Sequence, residues 1–413
     1  MDEKRKIALK RKISLHRAEE LKKATSEYQE FKKNYPLATD PHTEERVRKN
    51  KERILKYFGA SQEDWDDWKW QVSKRISDVN VLADFFGLSE EEENTINEIS
   101  SIYRWACTPY YLSLMDWKNM DYPINRMAIP CAAELDANGE EDPMDEEHTN
   151  PAACITRRYP NRLIINVTSS CAMFCRHCQR RRLIGERDET RTKAELMEAI
   201  EYIRNNPEIR DVLVTGGDPL MVKDELLEFI LSSLRKIPHV EILRVGTRVP
   251  VTMPQRITPK LVKMLKKYHP LFINIQFNHP RELTSDAVRA CQMLADAGIP
   301  LGNQMVFLKG INDNKFIVQM LNEELLKARV RPYYIFHPKQ VIGTEHFAIT
   351  VKEGLKVMEH LRGHTSGLAI PTYILNAPGG LGKIPLLPEY ILENDDKHVR
   401  LRTWEGREVN IEY

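Results

Sequence analysis

No run of roughly 18 or more apolar residues occurs in the 413-residue chain, so no segment has the reach and hydropathy of a membrane-spanning helix. The opening stretch, MDEKRKIALKRKISLHRAEE, is charged but lacks an apolar centre, and is not expected to act as a secretory signal. Net charge is lacking too. The 61 Lys and Arg are nearly cancelled by 60 Asp and Glu, which gives no electrostatic reason to expect nucleic acid or a membrane surface as partner. Low-complexity tracts are missing, and so is any second pair of close cysteines. The seven cysteines are an odd number, and three of them fall within eight residues. A disulfide framework is therefore not expected; crowding of this kind reads as metal binding in the reducing cytoplasm.

Apolar residues make up 42% of the chain, enough for a sizeable core. Residues 1–57 are free of glycine and rich in Lys, Arg and Glu, the texture of one or two solvent-facing helices interrupted near Pro36 and Pro41. Residues 58–150 read as a helical region and a linker. Trp65, Trp68, Phe85, Phe86, Tyr103 and Trp105 are its apolar anchors, and the acidic, turn-rich stretch 132–152 is a linker or surface loop. From about 160 the texture changes. Short β-branched runs appear: LIINVT, DVLVTG, EILRVG, FINIQF, NQMVFL and YYIF. Between them lie helical periodicities such as KAELMEAIEYIRNN and SDAVRACQMLADAG. Strand starts recur about every 30 residues after one longer interval, the rhythm of consecutive βα units. Six strands are too few for a full eight-stranded barrel. Residues 151–340 are thus expected to form a partial (β/α)6 barrel, with 341–413 as a C-terminal segment. Catalytic groups belong just after the C-terminal ends of such strands.

The first of these ends carries SSCAMFCRHCQRRR, a C-x3-C-x2-C spacing of Cys171, Cys175 and Cys178. Three thiolates on one short loop can bind three irons of a [4Fe–4S] cubane and leave the fourth open to a small chelating molecule. A structural zinc site would use four ligands, commonly in paired C-x2-C units, and Cys107, Cys131, Cys154 and Cys291 are isolated. His177, between two cysteines, would be a strained fourth ligand. The loop resembles the signature of radical S-adenosylmethionine (SAM) enzymes. That resemblance implies SAM on the open iron and contact of its amino group with the turn Thr215, Gly216, Gly217 and Asp218 after the second strand. Gln304, in the fifth strand, corresponds to another SAM contact. The glycines of the turn would let backbone approach a ligand.

Near the C-terminus stands NAPGGLGKIP. It is not a phosphate loop, because Ala377 and Ile384 replace the required Gly and Ser/Thr. A Schiff-base lysine, Lys383, is the alternative. From about residue 60 to 400 the chain resembles the lysine 2,3-aminomutase family, through DWDDWKWQV, TPYYLSL, CRHCQRRR, RITPKLV, LKKYHP, RPYYI, LRGHTSG and APGG-x-GK. The resemblance implies pyridoxal phosphate (PLP) on Lys383, with Arg158, Tyr159 and Arg162 near its phosphate. It implies Arg180 on the substrate α-carboxylate, and a homodimer or dimer of dimers. A reducing electron donor is a further partner that no motif identifies.

Lysine enzymes of the family hold the distal ammonium with two aspartates, and Lys339 and Asn376 stand at the matching positions here. A distal ammonium about 4 Å from Lys339 would be repelled by roughly 4 kcal/mol at an effective dielectric of 20, whereas a distal carboxylate would be attracted. The pattern resembles the glutamate-acting branch of the family. The expected reaction is interconversion of L-glutamate and β-glutamate (3-aminoglutarate), with lysine as the alternative substrate. A metal-binding protein without turnover is the alternative class. No structural zinc is expected, because Asn314 replaces a family cysteine and no C-terminal cysteine cluster precedes Tyr413. Gln276 stands where the family has a histidine beside the cofactor.

Overall fold

A computed structural model describes residues 3–413, which fall into two compact units, one up to Leu37 and the other Ala38–Tyr413. The first contains the helices Glu3–Ala24 and Ser26–Asn34. The charged stretch that the sequence presents as one solvent-facing block does not stay together. The helix Pro41–Phe58 belongs to the second unit, opened by a proline at its first turn and closed by Gly59 at φ 59°. Its Ile54 is fully buried. Asn50 Nδ2 donates to the carbonyls of Ser113 and Met115, both at 2.9 Å, and Arg46 Nη2 donates to Tyr122 Oη at 2.8 Å. The carbonyls ending the helix Pro109–Leu114 have no partner further along that helix, and polar side chains supply one. An amphipathic search that looks for apolar stripes misses a helix docked this way.

Nine strands form one sheet in chain order: β1 (Ile155–Tyr159), β2 (Arg162–Asn166), β3 (Asp211–Thr215), β4 (Ile242–Thr247), β5 (Leu271–Ile275), β6 (Leu301–Val306), β7 (Arg331–Phe336), β8 (Thr372–Ala377) and β9 (Gly382–Leu386). Strands β2 to β7 are the six β-branched runs, all parallel. The structure adds β8, parallel to β7, and antiparallel strands β1 and β9 at the two edges. The helices Lys193–Arg204, Pro259–Leu265, Ser285–Asp296 and Val351–His364 each begin behind a threonine that accepts from a first-turn N–H: Thr192, Thr258, Thr284 and Thr350. A separate three-stranded sheet, β10 (Ile391–Asn394), β11 (His398–Arg402) and β12 (Glu408–Glu412), ends the chain. Among the described residues, no helix is long and apolar enough to cross a membrane.

Burial along the strands alternates. In β3, Val212 and Val214 are buried, while Asp211, Leu213 and Thr215 keep some exposure. In β4, Leu243 and Val245 are buried, while Arg244 and Gly246 are not fully so. Of the half-exposed set, Leu213, Thr215, Arg244 and Gly246 line a cavity inside the barrel. The barrel wall is not laddered all the way round, because β1 and β9 are not paired with each other. They approach through side chains: a Cβ on Gly382 would lie 3.5 Å from Tyr159 Oη, and one on Gly380 would lie 3.2 Å from Arg158 Cδ.

The acidic stretch 132–152 does not behave as a linker. Its Glu134 is fully buried against Arg176 and Arg181, at 2.6 and 2.9 Å. Its Glu146, also buried, meets Arg180 at 2.8 Å and Arg158 at 3.6 Å, and Asp142 meets Arg182 at 2.7 Å. Backbone bonds continue the strap: Glu140 N donates to the Gln340 carbonyl at 2.9 Å, and Gly379 N to that of Pro143 at 3.1 Å. The carboxylates are complementary to the arginines of CRHCQRRR. No local pattern shows that, because the partners lie more than thirty residues apart.

Candidate active site

One cavity is lined by every candidate cluster, cofactor and substrate residue named from the sequence. The hairpin of β1 and β2 contributes Arg158, Tyr159 and Arg162; the loop after β2 contributes Cys171, Cys175, Cys178 and Arg180. The turn after β3 brings Thr215, Gly216, Gly217 and Asp218, and β6 brings Gln304. Lys339 comes from the loop after β7, Asn376 from the end of β8, and Lys383 from β9. Register explains the last pair. Asn376 and Lys383 are directly opposite in the antiparallel ladder of β8 and β9, so their side chains share one face. NAPGGLGKIP is thus a hairpin turn and its flanks.

The turn after β3 needs its glycines for a reason other than ligand approach. A Cβ on Gly216, at φ 142°, would lie 2.5 Å from the Thr168 carbonyl oxygen, and one on Gly217 would collide with that of Ser170. Backbone bonds run from Gly217 N to Thr168 O at 2.5 Å and from Asp218 N to Ser170 O at 2.8 Å. The turn therefore supports the start of the cysteine loop. The Asp218 carboxylate accepts from Thr247 Oγ1 at 2.7 Å and from the backbone N–H of Arg248 and Leu220 at 2.7 and 3.0 Å. Burial pushes its pKa up to about 6, against the pull of those donors.

The three thiols sit close enough to affect one another. Burial raises the Cys171 thiol well above its usual value, with added repulsion from Asp218, Cys178 and Cys175. Burial and the charge of Cys175 raise Cys178. Three crowded thiolates without a cation to share would be costly, so the donor set fits a cluster of iron. Among the described residues, no three His, Cys, Asp or Glu side chains gather as ligands around a single ion. Thiolates that each take a different iron need not converge on one point. His177, placed between two of them, has Nε2 3.2 Å from Asn278 Nδ2.

The other side of the cavity is cationic. Lys383 Nζ lies 5.0 Å from the Tyr334 ring centroid and 5.6 Å from that of Phe336. Burial, then the charges of Arg244, Arg162 and Arg158, lowers its pKa to about 8. Lys339 is lowered to about 7, by burial first and then by Arg158 and Arg180, against Glu146. Arg158 Nη1 is buried without a hydrogen-bond partner, so this wall holds a free donor suited to an anion such as phosphate. Arg180 turns its Nε–Nη2 edge to Glu146, at 3.1 and 2.8 Å, and keeps donors on its opposite edge, where Nη1 is 3.3 Å from Asn166 Oδ1. Sequence reasoning missed Glu146, Arg244 and Arg248. Arg244 lies inside a β-branched run, and alternation was the one signal that aims it into the barrel; it meets Asp211 at 2.7 Å.

A parallel βα barrel with three cysteines on the loop after its first parallel strand defines a radical SAM enzyme, a class that carries a [4Fe–4S] cluster and SAM. The radical SAM superfamily model matches residues 165–320, and the lysine-2,3-aminomutase model matches residues 358–410. The chain belongs to the lysine 2,3-aminomutase family and is an isomerase of the aminomutase type. It is 54% identical over 402 residues to a glutamate 2,3-aminomutase of Clostridioides difficile, covering 97% of this chain and 95% of the relative. It is 49% identical over 354 residues to an L-lysine 2,3-aminomutase of Acetoanaerobium sticklandii, covering 85% and 86%. A third relative, an L-lysine 2,3-aminomutase of Clostridium subterminale, is 49% identical over 349 residues, with 84% of each chain covered.

Proposed function

We propose that the protein interconverts L-glutamate and β-glutamate, moving the amino group between C2 and C3. The observation that carries this reading is the distal wall of the cavity. A lysine and a neutral amide, Lys339 and Asn376, face a space also lined by Arg180 and Lys383. Such a wall attracts a second carboxylate and repels a second ammonium. The long match to a relative named glutamate 2,3-aminomutase supports the same substrate.

In this reading Cys171, Cys175 and Cys178 hold the cluster, with the turn Thr215–Asp218 and Gln304 beside SAM. Arg158, Tyr159 and Arg162 hold the phosphate of PLP, and Lys383 carries its carbonyl carbon. When bound, the cluster and SAM would supply hydrogen-atom abstraction, and PLP would supply an unsaturated attachment that keeps hold of the nitrogen while its bond passes from C2 to C3. The protein's own groups do the rest. Lys383, with its pKa near 8, is partly neutral at pH 7.5 and so nucleophilic without a separate base. Arg180, fixed on one edge by Glu146, presents the other edge to the α-carboxylate. Lys339 and Asn376 receive the γ-carboxylate, so C2 and C3 are held from both ends of the substrate. The barrel keeps bulk water from reactive carbon centres.

The test is an anaerobic assay of reconstituted protein with SAM, PLP and dithionite, offering L-glutamate and L-lysine in competition. β-Glutamate as the dominant product is expected. β-Lysine would keep the chemistry and reject the reading of the distal wall.

A further inference from the structure

Arg248, the residue after β4, is 6% exposed, and each group of its guanidinium has a defined partner. Nη2 lies 2.6 Å from Glu282 Oε1, and Nε donates to the Gln276 carbonyl at 3.2 Å. Nη1 lies 2.7 Å from Cys175 Sγ. Glu282 is itself fully buried and fixed. It accepts from Tyr111 Oη at 3.0 Å and from the backbone N–H of Asn278 and His279 at 2.7 and 3.1 Å. The guanidinium cannot turn without breaking several of these bonds. Its sulfur contact also singles out one cysteine: the Cys178 thiol takes a backbone hydrogen bond from Arg180, but of the three thiols Cys175 alone, among the described residues, receives one from a charged side chain.

A buried ion pair is weak evidence of stabilisation, because desolvation offsets much of its attraction. A brace between the ends of β4 and β5 would need the pair with Glu282 but not the contact with sulfur. We propose that Arg248 tunes the cluster through Cys175, donating a charge-assisted hydrogen bond to the ligating sulfur that favours the reduced state and raises the reduction potential. This rests on the reading that Cys175 holds an iron. Reduction adds one electron, supplied by a low-potential external donor, and no proton moves, since the guanidinium stays protonated throughout. The added negative charge lies largely on iron and sulfur, so a fixed cation on one sulfur stabilises the reduced form more than the oxidised one. Arg248 is in this sense a positioning residue that acts through a ligand.

The experiment is a redox titration of the reconstituted holoprotein followed by electron paramagnetic resonance, with iron content and Tm measured alongside. Arg248→Gln combined with Glu282→Gln removes both charges together and avoids a stranded buried carboxylate. With a full cluster, this variant should show a more negative potential, with the reduced-to-oxidised ratio at fixed ambient potential falling at least tenfold, about 59 mV for a one-electron couple. Glu282→Gln alone removes only the counter-charge and should shift the potential the other way. Arg248→Lys, which keeps the charge, should lie between the double variant and the unaltered protein. An unchanged potential in a fully loaded double variant would overturn the proposal and leave Arg248 a brace. If the double variant does not load, unchanged potentials in Glu282→Gln and Arg248→Lys overturn it equally. A full cluster in Cys175→Ala would instead reject the ligand reading beneath it.

Discussion

The affinity for L-glutamate should fall steeply as pH rises from 7 to 9, because Lys339 loses its charge across that window. Burial and the neighbouring Arg158 and Arg180 bring its pKa down to about 7. Below that value the side chain is an ammonium that attracts the γ-carboxylate; above it the amine is neutral and offers only a weak dipole. Half of the ligand-free sites are charged at pH 7, and about one per cent at pH 9. If the charged form alone binds, apparent affinity falls by up to roughly fifty-fold between those values, about 1.4 kcal/mol per pH unit at the steep end. Bound carboxylate favours the ammonium, so binding at pH 8 should take up close to one proton. Calorimetry in two buffers of different ionisation enthalpy reads that uptake directly. Lys383 titrates near 8 and would affect any amino acid, so L-norvaline, which lacks the distal carboxylate, separates the two. Lys339→Met should flatten the profile for L-glutamate and weaken binding below pH 7, by as much as about three decades on the Coulomb estimate at 4 Å. The same slope in Lys339→Met, or equal slopes for glutamate and norvaline, would refute the assignment.

Lys339→Asp together with Asn376→Asp should shift preference toward L-lysine in the competition assay; unchanged glutamate preference would mean that these residues do not contact the distal group. Lys383→Ala should lose the visible absorbance of bound PLP while keeping full iron content, which spectra and iron analysis of one sample can check. Gly217→Ala should cost about 1–3 kcal/mol or more through collision with the Ser170 carbonyl, read as a lowered Tm together with poorer cluster loading.

The six parallel strands were readable because each is a short apolar run with a helical period behind it. β8 was not, because TYILNA ends in polar and small residues and runs straight into the turn that attracted attention as a motif. β9 has even less signal: its Lys383 and Pro385 suit neither alternation nor a buried run. The site residues carried by motifs all reached the cavity, since a motif fixes spacing along one loop and the barrel gathers the loops. Glu146 and Arg248 left no such trace. One sits in a stretch whose acidity looked like solvent exposure until its arginines were found in another loop. The other is a single arginine whose meaning depends on Cys175, seventy-three residues earlier. The glycines after β3 have a second neighbour that no motif names: besides lining the cavity, they make room for the backbone of the cysteine loop.

The unladdered seam between β1 and β9 bears on how the barrel holds its contents. One lip, the hairpin of β1 and β2, carries Arg158 and Arg162, the other Lys383, and side chains and the acidic strap bridge them. A molecule that engages an arginine on the first lip and the lysine on the second therefore completes a circumference that the backbone leaves open. Occupancy and wall integrity become one equilibrium, so each increment of binding free energy across the seam is also resistance to its parting.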